Sequence, residues 1–135
     1  MKSFHLRILA PERTFFDGAC ESVTVPTIDG MYGLLAQHED VVLAVIPGKL
    51  TLRGADGVEQ IAAVSEGMFR MDNGEALMLV DTVERPEEID LHRAEEMAAA
   101  ARAELDAHHS ALEQAAARAR IARAMSRMHV KRDGK

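Results

Sequence analysis

Arg123 and Arg127 stand four residues apart near the end of a 135-residue chain, inside a stretch with strong helix propensity. On a helix that spacing puts both guanidinium groups on one face, where they can fork onto carboxylate or phosphate oxygens. Some thirty residues earlier, Ile89-Asp90-Leu91-His92-Arg93-Ala94 follows the break Glu84-Arg85-Pro86 and reads as the opening of another helix. If the two helices run antiparallel, the end of the second lies beside the start of the first. Arg123 and Arg127 then approach Asp90 and Arg93. Two chemistries fit this meeting. One is an anion site; the other is a purely structural junction, with Asp90 capping its helix and the arginines paired with Glu87, Glu88 or Glu95.

Other residues offer less. His38-Glu39-Asp40 places an imidazole beside two carboxylates, the ingredients of acid–base hydrolysis. Successive residues of a strand point to opposite faces, however, so the three are not expected to converge, and surface polarity is the simpler reading. Asp29-Gly30-Met31-Tyr32-Gly33 has two glycines but neither the third nor the helix of a phosphate cradle, and reads as a turn or bulge. No nucleophile elbow and no phosphate-binding loop occur. Cys20 is alone, and the six histidines form no zinc or H-E-x-x-H pattern, so no catalytic residue, metal or required cofactor is implied.

The elements that must position the junction fall into two regimes. Phe4, Leu6 and Ile8 alternate with His5 and Arg7, as a half-buried strand does, and Val23 and Val25 flank Thr24 in the same way. The apolar run 41–46 suits a sheet buried on both sides. Gly54-Ala55-Asp56-Gly57 and Asp72-Asn73-Gly74-Glu75 supply turn chemistry for two hairpins. Short strands at this spacing predict an antiparallel sandwich or barrel over residues 1–84. Beyond Pro86 no proline occurs, and alanine with charged residues dominates. Leu91, Ala94, Ala98, Ala101 and Leu105 draw one seam; Leu112, Ala115, Ala119 and Ala122 draw another, with a break at Ala107-His108-His109-Ser110 and Ser110 as cap. Residues 85–135 therefore read as a two-helix antiparallel hairpin, a helical arm. The seams are mostly alanine, so the arm buries little area per residue and can leave its docked position at modest cost; a hairpin packed permanently on the sandwich fits the same pattern equally well.

Charge sharpens the picture. Residues 1–84 carry 6 basic and 13 acidic side chains, net −7; residues 85–113 carry 3 and 8, net −5; residues 114–135 carry 7 and 1, net +6. A basic end of this kind seeks an acidic partner, within the molecule or outside it. Nucleic acid is disfavoured, because the basic segment has no aromatic residue to stack on bases. No run reaches the roughly 18 apolar residues of a membrane span, and the opening residues lack the apolar stretch of a secretory signal, so a cytoplasmic location is expected.

The residues then carry a resemblance. Ala10-Pro11-Glu12-Arg13, Phe15-Phe16-Asp17-Gly18, Val23-Thr24-Val25-Pro26, Asp29-Gly30, Gly33-Leu34-Leu35, His38, Pro47-Gly48, Glu66-Gly67, Val80-Asp81, Glu84-Arg85 and Ile89-Asp90-x-x-Arg93-Ala94 come in an order and spacing similar to the ε subunit of bacterial F-type ATP synthases. That resemblance implies a β-sandwich of about ten strands followed by a helical hairpin, attached to the γ subunit and to the ring of c subunits at the cytoplasmic face of the membrane as a peripheral rotor component. It implies an arm that folds on the sandwich or extends into the catalytic α/β hexamer, and a chain that is not itself an enzyme. It further implies ATP as a regulatory ligand of the folded arm, held by Glu84, Asp90, Arg93, Ala94, Arg123 and Arg127. Met31 and Tyr32 stand where many members carry a polar or acidic residue facing the c ring. Together with His38 they are the expected partner contacts. A free cytosolic nucleotide sensor using the same junction, and a small hydrolase built on His38 with Glu39 or Asp40, are the competing functions.

Overall fold

The computed structural model describes residues 2–107 and 110–134. Nine strands come first: β1 Phe4–Ala10, β2 Arg13–Thr27, β3 Gly30–Leu35, β4 Val41–Val45, β5 Gly48–Gly54, β6 Glu59–Val64, β7 Gly67–Asp72, β8 Glu75–Val80 and β9 Val83–Glu84. A 3-10 turn, Pro86–Glu88, leads to helices α1 Leu91–Asp106 and α2 Ala111–Gly134. The strands are ordered β4-β7-β8-β1-β2-β5-β6-β9, with β3 also paired to β2.

The 15-residue β2 makes a sandwich out of one hydrogen-bonded sheet. Its first half pairs with β1, and its second half pairs with β3 on one side and β5 on the other. Register shifts at Ile8/Leu9 and between Cys20 and Ser22 bend the strand between the two layers, as bulges do. The alternation seen in the sequence then aims Phe4, Leu6 and Ile8 of β1 and Val23 and Val25 of β2 into one core with Leu50, Leu52, Phe69, Met71 and Met78. The pairing is antiparallel except between β1 and β8, which run parallel. Both expected hairpins form. Asn73 and Gly74 take φ values of +53° and +80° between β7 and β8, the two left-handed residues that a tight hairpin turn requires.

Two expectations about burial fail. The apolar run 41–46 is not covered on both sides. β4 is an edge strand, paired only with β7, and Val42 is 65% exposed while Val45 is buried. A run of apolar residues states its hydrophobicity but not which face a neighbour covers. In the arm, Ala94, Ala98 and Ala101 are buried as expected, but Leu91 is half exposed and Leu112 is 81% exposed. The buried face of α2 is Ala117, Ala124, Ser126 and Val130, not Leu112, Ala115, Ala119 and Ala122. Seven alanines between positions 111 and 124 make several faces equally apolar, so periodicity alone cannot choose among them.

His38, Glu39 and Asp40 lie in the loop before β4 and not on a strand. His38 Nδ1 donates to the Glu39 carbonyl oxygen at 2.7 Å, and Asp40 accepts from the Asn73 amide at 3.0 Å. The histidine therefore turns to backbone, not to either carboxylate. Asp29-Gly30 forms the β2–β3 turn: Gly30 has φ +111°, and the Thr27 hydroxyl accepts from the Asp29 amide while donating to the Gly30 carbonyl oxygen. Ser110 caps α2, accepting from the Glu113 amide at 3.2 Å. The rest of the expected interhelical break, His108 and His109, lies outside the described residues. No helix among the described residues is long and apolar enough to cross a membrane.

Candidate functional site at the junction of sandwich and arm

The junction is built from three places in the chain. β9 ends at Glu84, the 3-10 turn brings Glu88, and α1 opens with Asp90 as its cap. The Asp90 carboxylate accepts from the Arg93 amide at 3.1 Å, satisfying one of the amides that a helix start leaves unpaired. α2 returns antiparallel to α1 and packs on β5, β6 and the 3-10 turn. This brings Arg127 alongside. Glu84, Glu88, Asp90, Arg93, Ala94, Met97 and Arg127 line a cavity of about 260 Å³.

Five of the six residues expected to hold ATP thus meet at one cavity. Arg123 does not line it. Its guanidinium ion-pairs with Glu66 at 2.8 Å, one turn up α2, while Arg127 Nε donates to Glu84 in a pair whose side chains are only 19% and 29% exposed. The structural alternative is therefore right about the Asp90 cap but wrong about the partners, which are Glu84 and Glu66 in place of Glu87, Glu88 or Glu95. Arg120 pairs with Glu104 of α1, and Lys131 donates to the Pro86 carbonyl oxygen at 3.0 Å. Positions 120, 123, 127 and 131 fall on one stripe of α2, and each finds an acceptor on α1, the sandwich or the turn. The +6 segment meets its acidic partner inside the molecule.

Electrostatically the cavity is mixed. Glu84, Glu88 and Asp90 face Arg93 and Arg127. Most of these charges are committed: Glu84 to Arg127, Glu88 to Arg13 at 2.9 Å, and Asp90 to its helix. Arg93 has no ion-pair partner among the described residues. The volume falls just below the roughly 300 Å³ at which small-molecule sites begin. A triphosphate would have to draw Arg127 from Glu84, and Arg123 from Glu66, to find enough cations.

Sequence reasoning missed a cluster beside the cavity. One Arg13 nitrogen reaches both Glu88 carboxylate oxygens, at 2.9 and 3.0 Å, and the Val83 carbonyl oxygen at 3.3 Å. The Arg85 amide donates to Glu88 at 2.7 Å, and its guanidinium lies 4.3 Å from the centre of the Phe15 ring while donating to the Phe15 carbonyl oxygen. Apart from the Arg85 amide bond to Glu88, three residues away, these contacts join positions 70 or more apart, so no local pattern announces them. The Arg85 amide bond and, secondarily, the Arg13 ion pair hold the Glu88 carboxyl below its ordinary value of 4.5.

The expected partner contacts lie elsewhere. Met31 is 55% exposed on β3, beside the turn that carries Ile28 at 83%, and Leu35 ends the same strand at 64%. Tyr32 packs partly on the core, and its ring meets His38 edge-on at 5.8 Å. Ile28, Met31 and Leu35 are thus exposed apolar side chains on or beside β3, and none of them lines the cavity.

Comparison with known proteins agrees with the architecture. Residues 3–86 match the family model described as ATP synthase, Delta/Epsilon chain, beta-sandwich domain. The ATP synthase epsilon chain of Ruminiclostridium cellulolyticum is 38% identical over 128 residues, 95% of each chain; that of Ruminococcus albus is 34% identical over 131, covering 96% of this chain and 97% of its own. Among solved structures, a chain of the Euglena gracilis mitochondrial ATP synthase OSCP/F1/c-ring assembly superposes with a TM-score of 0.80 at 19% identity, over 92% of this chain and 78% of that one. A chain of the Tetrahymena thermophila mitochondrial ATP synthase central stalk/c-ring gives 0.67 at 12% identity, over 96% of this chain and 97% of its own. With near-complete coverage of curated relatives above 30% identity and the same sandwich followed by two helices, this chain belongs to the ATP synthase epsilon-chain family.

Proposed function

We propose that this chain is a non-catalytic rotor subunit of a rotary ATP synthase, joining γ to the c ring through its sandwich and regulating ATP hydrolysis through a releasable arm. The observation that carries the proposal is how the arm is held. α2 is fixed to the sandwich by an ion-paired stripe, the hydrogen bond of Ser126 to Gly48 and the packing of Val130 beside Ala63 and Ile61, so little apolar area opposes its departure. A released α2 of 24 residues is about 36 Å long and carries its uncovered arginines to an acidic surface elsewhere. The α/β hexamer is the surface this reading assigns to it. Membership of the epsilon-chain family and the central-stalk setting of structural neighbours support the same role at the cytoplasmic face of the membrane, peripherally bound. The exposed apolar side chains Ile28, Met31 and Leu35 on and beside β3, the strand that carries Tyr32 in ring contact with His38, support contact with the rotor.

The test is capture. Full-length chain and a chain ending at Glu84 should both retain purified γ, because the sandwich core draws nothing from the helices. Loss of γ binding on removing the arm would contradict this division of labour.

A second role rests on the meeting of Glu84, Asp90, Arg93, Ala94 and Arg127 at one cavity. ATP stabilises the docked arm there by bridging it: its phosphates take over Arg127 and Arg123 of α2 together with Arg93 of α1, and Glu84 contacts the ligand from the sandwich side, so the pairs given up are replaced through the ligand. A ligand that binds only the docked state shifts the population toward it. Calorimetry should show ATP binding that Arg127→Ala weakens by roughly 10-fold or more, the loss of one charge-assisted bond of about 1.5 to 3 kcal/mol. Absence of heat and of any melting shift at millimolar ATP would remove ATP sensing and leave the junction a structural clasp.

A further inference from the structure

We infer that the arm pivots at Ile89–Asp90, beginning five residues beyond the end of β9, and that the 3-10 turn stays with the sandwich as a fixed anchor when the arm leaves. This inference rests on the reading of the arm as releasable. The turn is tied down from the sandwich side. Glu88 is gripped by Arg13 of β2, which also holds the Val83 carbonyl oxygen of β9. Arg85 lies on the face of Phe15, itself only 4% exposed, and donates to the Phe15 carbonyl oxygen at 3.2 Å. An arginine over an aromatic face is attracted by the ring, and more so where water is partly excluded. Within the turn the Arg85 amide donates to Glu88, and the Glu88 and Ile89 amides close back on the carbonyls of Arg85 and Pro86. None of these contacts involves α1 or α2.

The next two residues are held differently. Ile89 is buried, but its cluster is Ala63 and Ile61 on β6 together with Val130 on α2. Removing α2 takes one wall of that cluster away. Asp90 spends its carboxylate on its own helix, and α1 packs on α2, with the sandwich reached through α2 and the linker. Both residues are extended, with φ, ψ of −84°, 128° and −89°, 103°, between a closed turn and a capped helix. Two extended residues between two rigid pieces, one of them losing a packing wall on release, are where rotation concentrates. α2 also touches the turn, through Lys131 on the Pro86 carbonyl oxygen and Gly134 against the Pro86 ring, but both contacts fall on Pro86 and leave the Arg13, Arg85, Glu88 and Phe15 grip intact.

Nuclear magnetic resonance on the full chain decides this, with the arm released by the double substitution Arg123→Glu and Arg127→Glu, which sets like charges opposite Glu66 and Glu84. The ring-current shift of the Arg85 side chain over Phe15 should persist at its wild-type value. Ile89, Ala63 and Val130 should change, and residues from Asp90 onward should move independently of the sandwich. A released arm with the Arg85 shift collapsed overturns the pivot while leaving the releasable arm standing. An arm that keeps its Ile89 to Val130 contact in the variant contradicts the releasable arm itself, and the pivot with it. Adding Glu88→Ala to the released variant should extend mobility back toward Arg85; unchanged mobility would overturn the role of Glu88 as anchor.

Discussion

Arg123 and Arg127 share a helix face yet serve two carboxylates on different elements, Glu66 before β7 and Glu84 at the end of β9. Such pairs are partly sheltered, so solvent screens them less than a surface ion pair, but each charge gives up hydration to form them and both stay open to exchange for a competing anion. Glu88 behaves differently. Its carboxyl is held below 4.5 by the Arg85 amide and then by Arg13, so the folded state prefers the ionised form. The stabilisation is present above the unfolded value and is lost as pH falls through about 4.5 toward the lower folded value. Glu88→Gln should therefore lower the melting temperature at neutral pH, and the gap from wild type should close on acidification well below 4.5. A gap of constant size across that range would show that the charge of Glu88 contributes nothing. The Asp90 cap was legible in the sequence because a cap is a local pattern. The Glu88 grip was only partly so: the Arg85 amide is three residues away, but Arg13 is supplied by β2 and only the fold brings it in.

Among the elements, α2 bears the most constraint with the smallest side chains. Ser126 is buried, and Gly48 lies under the helix, its carbonyl oxygen accepting from Ser126 at 2.8 Å. An interface this close leaves no room for a larger side chain. Ser126→Leu should weaken docking by about 1 to 3 kcal/mol, the usual cost of overpacking, while the sandwich melts as before. The expected result is an early loss of helical circular dichroism ahead of an unchanged sheet transition; a single transition lowered as a whole would mean that arm and sandwich fold as one unit. The strand regime and both hairpin turns could be read because alternation and turn residues act over a few positions. The buried face of α2 could not, because alanine recurs on every side. The outward face of β4 was hidden for a related reason: Val42 is as apolar as Val45, and only the face of the strand on which each lies distinguishes them.

For the molecule as a whole, charge is segregated along the chain and brought together by the fold. The acidic sandwich receives the basic end of α2, so the docked state hides within itself the charge pattern that an outside partner would read. Salt weakens such contacts where they are exposed, and a competing acidic surface does the same work at one place. The central claim is that this internal pairing is a resting state whose release restrains ATP hydrolysis by the complex. The most direct measurement is hydrolysis by a synthase reconstituted with either the full chain or a chain ending at Asp90, compared over a range of ATP concentrations. The account predicts faster hydrolysis without the helices, with assembly intact and the difference largest at low ATP, where the arm is least held to the sandwich. Equal rates at every concentration would contradict it and make the arm a fixed structural part.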